Sequence, residues 1–403
     1  MKLPYYTANT LIEAVKRNIA FPIAQVTFSE ADILRFADEE MFLEQVPSIL
    51  QYHEEYLVFE HAEPLRPNQS RYPIPARAVG MRIRDLFYRD ERGQLRDMSR
   101  INPDDKAYMQ SKGDTFPSPI YYYIQNNSVV LNPEVGSDPI GHIVFSYYLR
   151  PNSLVPDERG CVCQSFSKTV TINNASLVSG DELSIDGTVI VAGVDFAIGV
   201  NSSTTANNLV GHISSLVNSQ FSASDSGNIV TIVYSERDSV FSTTNSVALA
   251  IQQTITINTT AVPSDIVSGS LVDILQTDGG HSTLAIDVKL ITNSVSLNSL
   301  TFTEAQLPDD FVVGDYVCAR YECIVPQIPT DLHMLLGERT AVRILQALGD
   351  KDAAREGTEK IGRLEAKQST IIDNRAEGSP LKVVNRNGLL WSAKVKFGRR
   401  TSG

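Results

Sequence analysis

Two apolar spacings alternate along the chain. The first is helical. In TLIEAVKRNIA, Leu11, Val15 and Ile19 fall on one face behind a cap at Asn9 or Thr10. In FSEADILRFADEEMFLEQV, Ser29 and Asp32 stand at capping-box spacing, with Asp in place of the usual Glu, and Ile33, Phe36, Ala37 and Met41 recur at helical spacing. Pro47 is expected to end or kink that helix. Period two then takes over. YLVFEH, ARAVGMRIRDLFYRD and GQLRDMS read as strands, and SPIYYYIQNNSVVLNPE reads as a hairpin about Asn-Asn. GHIVFSYYL is a further strand that runs into Pro151 and Pro156, where a closing helix would be due.

That helix is delayed by more than a hundred residues. From about Phe166 the chain stays β-rich. KTVTI alternates, and Asp186-Gly187 between two alternating runs predicts a type I′ hairpin. Ala206, Leu209, Val210, Ile213, Leu216 and Val217 then form a helical stripe behind a cap at Ser203. GNIVTIVYS and VALAIQQTITI return to strand, and a second β-rich stretch from about Val267 to Phe302 centres on LAIDVKLI. GDYVCARYECIV reads as the strand on which the closing flank resumes. A helix capped at Thr330 or Asp331 carries Leu332, Leu335, Leu336, Val342, Leu345 and Leu348, with Gly349 placed as a C′ glycine and Asp350 able to cap the next helix. That next helix has a thin stripe of Ala354, Ile361, Leu364 and Ile371. Gly357 and Gly362 each weaken it by roughly 1 kcal/mol relative to Ala.

Charge sharpens the division. The net charge is −12. Between Cys161 and Asp310 there are fourteen acids against three bases, Lys168, Arg237 and Lys289, so this stretch carries most of the imbalance. It is also rich in Ser, Thr, Asn and Val, the composition shift of an inserted domain. The expected fold class is therefore α+β. A helical cluster, made of the N-terminal helix pair and a C-terminal helical hairpin, joins a small antiparallel sheet and is interrupted by a β-rich inserted domain. The expected boundaries are 1–157 plus 320–380 for the core and 161–310 for the insertion, with possible sub-units 166–260 and 261–310. A basic arm covers 381–403, with six Lys or Arg and no acid from Leu381 onward. No apolar run is long enough for a membrane span, the N-terminus lacks the apolar stretch of a secretory signal, and four cysteines fit a reducing compartment better than a disulfide scaffold.

The order of these elements, with PSPIYYY, VVLNPE, FSYYLRP and then IPTDLHMLLGERTAVRILQALGD, resembles the head-to-tail adaptor (connector, or head-completion) proteins of tailed double-stranded-DNA bacteriophages. The resemblance covers the two flanks. The segment GDELSIDGTVIVAGVDFAIGVNSSTTANNLVGHISSLVNS resembles a small β-domain recurring in phage structural proteins. The resemblance implies a non-enzymatic structural protein of the virion neck, assembled in the host cytoplasm. It implies a dodecameric ring of identical copies clamped beneath the portal protein. A tail tube or nozzle protein would bind below, and viral DNA would pass through without sequence-specific binding. No membrane and no cofactor are implied. The C-terminal arm would dock the portal through Lys382, Val383, Val384, Arg386, Leu389, Leu390, Trp391, Lys394, Lys396, Phe397, Arg399 and Arg400. DNA contact by Arg386, Lys394, Lys396, Arg399 and Arg400 is the less favoured use, because a conduit that lets DNA slide should not grip phosphates. The rival reading is a receptor- or glycan-binding tail protein that uses the β-rich insertion. A wall hydrolase is a further rival.

Catalytic signatures are thin. Neither G-x-S-x-G nor a Walker-type phosphate loop occurs. His53, Glu54 and His61 lack the i, i+4 spacing of a zinc helix and read as surface or packed residues. Cys161-Val162-Cys163 with Cys318 and Cys323 would suit a clip across the stems of the insertion. C-x-C is not the usual knuckle, however, and on one strand Cys318 and Cys323 would face opposite ways, so buried free thiols are expected. TDGGHST, from Thr277 to Thr283, reads as a polar hairpin turn, and the acidic surplus lacks a calcium-loop pattern.

Overall fold

The computed structural model describes residues 6–19, 27–52, 56–105, 120–133, 135–137, 140–216, 221–236, 240–277, 281–296 and 298–368. The chain is mixed α+β, with more strand than helix. Helix α1, Ala8–Ile19, buries Leu11, Ile12, Val15 and Ile19. Helix α2, Glu30–Glu40, opens on a capping box: Asp32 N–H donates to Ser29 Oγ at 3.2 Å, and Ser29 N–H donates to the Asp32 carboxylate at 3.0 Å. Pro47 does not end this helix. A π turn over Met41–Gln45, in which Val46 N–H reaches back to Met41 O, leads directly into α3, Val46–Tyr52. The widened turn accommodates the donor that Pro47 lacks.

The N-terminal strands build two four-stranded sheets, where the pattern suggested one. The strands are β1 (Val58–Pro64), β2 (Arg71–Pro73), β3 (Ala78–Arg89), β4 (Leu95–Asp97), β5 (Ser99–Arg100), β6 (Tyr121–Gln125), β7 (Ser128–Asn132) and β8 (His142–Leu149). They are ordered β1-β8-β3-β4 and β2-β7-β6-β5. The second sheet is not wholly antiparallel, since β5 runs parallel to β6. Both sheets share one core that includes Tyr72, Leu86, Val129, Leu131, Phe145 and Tyr147. Asn126 and Asn127 both adopt positive φ, which closes the β6–β7 hairpin as its sequence predicts.

After β9 (Ser153–Leu154) the 13-residue strand β10, Gly160–Ile172, runs through two further units. Its far end enters a small lobe. There β11 (Glu182–Ile185) and β12 (Thr188–Val191) pair about Asp186-Gly187, both at positive φ. Helix α4, Ser202–Ser215, is capped by Asn201, whose Oδ1 accepts Thr204 N–H at 2.8 Å, and Ser203 lies inside the helix. The lobe is completed by β13 (Phe221–Ser226), β14 (Ile229–Tyr234), β15 (Phe241–Thr243) and β16 (Leu249–Ile251). Val170, Leu183, Leu209, Ile213, Ile232 and Leu249 are buried in its core.

The near end of β10 belongs to a closed barrel. With β17 (Thr254–Thr259), β18 (Leu271–Leu275), β19 (Thr283–Ser294), β20 (Ser299–Thr303) and β21 (Tyr316–Ala319), the ladder runs β10-β17-β20-β19-β18-β21 and back to β10, antiparallel at every step. Closure removes both sheet edges. Phe166, Ile257, Ile274, Leu290, Phe302 and Phe311 fill the interior. β17 and β20 lie on either side of residue 260 and share a ladder, so the two β-rich stretches of the pattern meet in this barrel. Tyr316–Ala319, which the pattern gave to the returning flank, is a barrel strand.

The chain then turns at Arg320-Tyr321 and leaves as β22, Glu322–Cys323, which pairs in parallel with β9. The outgoing and returning stems thus lie side by side. A tight 3-10 turn, Thr330–Leu332, precedes α5, His333–Leu348, in place of the side-chain cap expected at Thr330 or Asp331. Gly349 closes α5 at φ +79°, and Asp350 Oδ1 accepts Ala353 N–H at 3.1 Å to start α6, Lys351–Gln368. One apolar cluster joins Leu11, Val15, Ile33 and Met41 to Leu154, Ile328, Leu336 and Ile344. Arg343 ties α2 to α5 through Glu39 (2.5 Å) and Glu40 (2.7 Å), while Arg339 and Lys360 reach Glu365 and Glu338 between α5 and α6. Among the described residues no helix is long and apolar enough to cross a membrane.

The two helical glycines of α6 are not equivalent. A Cβ at Gly357 would stand 2.4 Å from Val342 Cγ2, whereas one at Gly362 would meet nothing within 4 Å. Gly362→Ala should therefore stabilise the protein by about 1 kcal/mol. Gly357→Ala should lose that gain or destabilise, because the stiff Val342 must move. Thermal denaturation of both variants tests this, and equal gains would show that α6 does not seat against Val342.

Candidate functional site

Strand β18 reads LVDIL. Alternation turns Val272 and Ile274 into the barrel and Asp273 outward. An outward Asp is ordinarily wet, yet Asp273 has no exposed surface. The N-terminal β unit and both stems close over it. Arg77, on the loop between β2 and β3, donates from Nη1 to Oδ2 (2.7 Å) and from Nη2 to Oδ1 (3.1 Å). Asn152 Nδ2 from the outgoing stem donates at 2.8 Å. The backbone N–H groups of Tyr321 and Asp287 donate at 3.1 Å each. Gln327 from the returning stem accepts Asn152 N–H at 2.5 Å and donates to Thr283 Oγ1 at 2.7 Å. Five donors on one carboxylate supply what a buried charge needs.

Two residues near this carboxylate hold left-handed backbone, Tyr321 at φ +67° and Asp287 at φ +57°. The conformation is unusual for Tyr and is kept by its surroundings. Two guanidinium groups approach the Tyr321 ring, Arg77 at 4.1 Å and Arg320 at 4.7 Å from its centroid. Asp287 in turn pairs with Arg77 at 3.0 Å and Arg320 at 2.6 Å. Two clefts share Arg77 and Tyr321 as lining. The larger, about 500 Å3, is lined by Phe42, Val46, Val79, Arg150, Pro151 and Tyr321 among others. The smaller, about 320 Å3, includes His61, Glu63, Tyr147 and Ile286. The charges of Arg77, Arg320, Asp273 and Asp287 are mutually paired, which fits a junction that positions whole units.

The other candidate residues are distributed as follows. All four thiols are free and buried. Burial pushes Cys161 and Cys163 up to about 12 and raises Cys318 and Cys323 as well, which makes them poor nucleophiles. Cys318 and Cys323 do not sit on one strand, because the left-handed Tyr321 breaks it, and both join the same apolar cluster. Among the described residues no group of three or more His, Cys, Asp or Glu could hold a metal ion. His281 is not on a solvated turn. It is buried and stacks on His333 with ring centroids 5.7 Å apart, a packing that no local signal announces. His53 and Glu54 lie outside the described residues, as does the whole arm from Lys382 to Arg400 that was expected to dock the portal.

Two groups near the stems, the buried His333 and the half-buried Asp38, oppose each other in pH dependence. Tyr6 N–H donates to His333 Nδ1 at 2.9 Å, so Nε2 carries the proton and faces Ile328 O at 3.2 Å. Burial, with His281 beside it, lowers His333 to about 4. Asp38 accepts Leu154 N–H at 2.9 Å, fastening α2 to β9, and burial raises it to about 7 despite that bond. Between pH 4 and 6.5 folding releases a proton at His333, so its contribution falls as pH falls. Over the same range folding takes up a proton at Asp38, so its contribution falls as pH rises.

Asp38→Asn should therefore make stability rise more steeply with pH than in the wild type, and His333→Gln should tilt it the other way. Each tilt approaches about 1.4 kcal/mol per pH unit. Urea denaturation at pH 4.5, 5.5 and 6.5 measures the slopes, and parallel profiles for all three proteins would refute the assignment. Separately, Asp273→Asn should cost about 3–5 kcal/mol, because it removes the charge on which five donors converge and leaves the buried Arg77 to its pair with Asp287. Equilibrium denaturation at pH 7 checks this, and a loss below 1 kcal/mol would be inconsistent with a buried, fully used carboxylate.

No protein-family model matches this chain, and no curated protein matches it either.

Proposed function

We propose that this chain is a non-enzymatic structural protein of a phage neck, a head-to-tail adaptor that forms a homo-oligomeric ring between portal and tail and surrounds the DNA exit path. The observation that carries the reading is the parallel pairing of the two stems, Ser153 with Glu322 and Leu154 with Cys323, beside an apolar cluster drawn from both chain ends. This suits an adaptor core whose flanks close on each other where a β-rich segment leaves and returns at one point, with the barrel end of that segment packed against them. In this reading the helices are the ring wall and the arm from Leu381 to Gly403 holds the portal.

Surface chemistry supports the same choice. From Thr169 to Glu236 there is no Lys or Arg, while Asp181, Glu182, Asp186, Asp195, Asp225 and Glu236 are present. Such a surface repels phosphates and suits a part set beside moving DNA. The aromatic rings between Phe166 and Ile251, namely Phe166, Phe196, Phe221, Tyr234 and Phe241, are buried or half-buried and offer no stacking platform for sugars.

Purified full-length protein should give ring-shaped class averages with a central opening by negative-stain electron microscopy. A monodisperse monomer at tens of micromolar, about 1 mg/ml or more for a 44.3 kDa chain, would overturn the ring. Deleting Leu381 to Gly403 should leave the ring intact and abolish co-sedimentation with portal; retention equal to the full chain would remove the docking role of the arm.

A further inference from the structure

The barrel carries a preformed apolar knob. The loop from Leu307 to Gly314 reads LPDDFVVG, and Val312 and Val313 are 52% and 41% exposed beside the exposed Asp309 and Asp310. The loop is pinned beneath them. Phe311 is fully buried, edge-on to Phe166 at 5.5 Å between centroids. The buried Asp315 accepts Val312 N–H at 2.9 Å and Thr277 N–H at 2.8 Å, and Gly314 N–H donates to Cys163 O at 2.9 Å. Two adjacent valines are thus held out in water on a rigid support. The entropy cost of ordering them has already been met by the fold, which is the condition for a docking element.

The same chain carries a matching recess. The larger cleft at the unit junction has apolar walls from Phe42, Val46, Val79 and Pro151. Leu43, next to Phe42, is 63% exposed, and Tyr321 on the wall is 45% exposed. Among the described residues, two arginines and no acid line it. Arg77 is already neutralised by Asp273 and Asp287, which leaves the exposed Arg150 as the charge on offer. The fitting occupant is therefore apolar with a neighbouring carboxylate, and the knob has that composition. Knob and recess share no residue, so one copy can present both at once. A contact between two different surfaces is heterologous and propagates around a closed ring.

We infer that the Leu307–Gly314 loop of one copy docks in this cleft of the next, seating Val312 and Val313 against Phe42, Val46 and Val79 and placing Asp310 on Arg150. The inference rests on the ring reading above and names the contact that would build the ring. Sedimentation velocity of full-length protein over a concentration series tests it. Arg150→Glu and Asp310→Arg should each weaken assembly at least ~10-fold. Mixing the two single variants should restore assembly, because every contact in an alternating ring is then a matched pair, and the double variant should assemble as wild type. Val312→Asn should weaken assembly with an unchanged thermal midpoint, which separates docking from folding. Single variants that assemble as the wild type does, or that fail to recover on mixing, would overturn this contact and leave the ring reading standing. A wild type that stays monomeric at every concentration would sink both.

Discussion

The arrangement of the whole chain depends on one buried carboxylate. Moving a charge such as Asp273 out of water costs several kcal/mol, and the cost is recovered only when its donors arrive in the right geometry. Those donors come from places far apart in sequence: Arg77 before the insertion, Asn152 on the outgoing stem, Asp287 within the barrel and Tyr321 where the barrel ends. Each unit could bury apolar surface in many relative orientations. Only one orientation satisfies Asp273. The ion pair therefore acts less as a source of net stability than as a selector among packings, the role best attested for buried charges. The left-handed Tyr321 fits the same demand, since its N–H donates to the carboxylate while its ring is approached by the Arg77 and Arg320 guanidinium groups.

Local signals carried most of the elements. The stripe of Leu11, Val15 and Ile19, the Ser29 capping box, the hairpin turns at Asn126-Asn127 and Asp186-Gly187, and the left-handed Gly349 depend on residues within a few positions of each other, and each is found where its spacing placed it. Readings that needed distant partners fared differently. Pro47 reads as an end or a kink, and the helix runs on past it through a π turn over Met41–Gln45. GDYVCARYECIV reads as one strand, yet Tyr321 breaks it because Asp273 lies nearby. His281 reads as part of a polar turn, yet it is buried on His333, more than fifty residues away. The junction itself left one faint trace, a lone Asp in the apolar run LVDIL. Alternation gave it a harmless outward position, and only the covering of the barrel by the first eight strands made it a buried charge.

The opposed titrations of Asp38 and His333 belong to the same region of the fold. Asp38 holds α2 to the outgoing stem, and His333 holds the segment before α1 to the start of α5. Both contacts bind an N-terminal helix to the point where the interrupted chain is rejoined. Burial disfavours the charged form of both groups, raising Asp38 to about 7 and lowering His333 to about 4 beside the apolar cluster. Outside that cluster, Arg339 and Arg343 connect the acids of α2 and the π turn to α5 and α6 at partly exposed positions, where ion pairs guide register more than they add stability.

The position of the barrel limits how the insertion can be understood. Leu275, Tyr316 and Cys318 belong to barrel strands, yet they are buried in the apolar cluster shared by the terminal helices. Gly160 makes the same point from the other side, because a Cβ there would meet Ile324 at 2.6 Å, leaving no room between the barrel wall and the stem. The barrel is therefore part of what the helices pack on. The lobe is different. Its core draws on the distal end of β10 and on the segment from β11 to β16, and it meets the barrel through β10, the short step from β16 to β17, and the rings of Phe221, Tyr234 and Phe241. If the chain evolved or can be engineered by insertion, the joint that costs little is at the lobe, between about Ile172 and Ile251. Cutting at the stems would remove a wall of the central core.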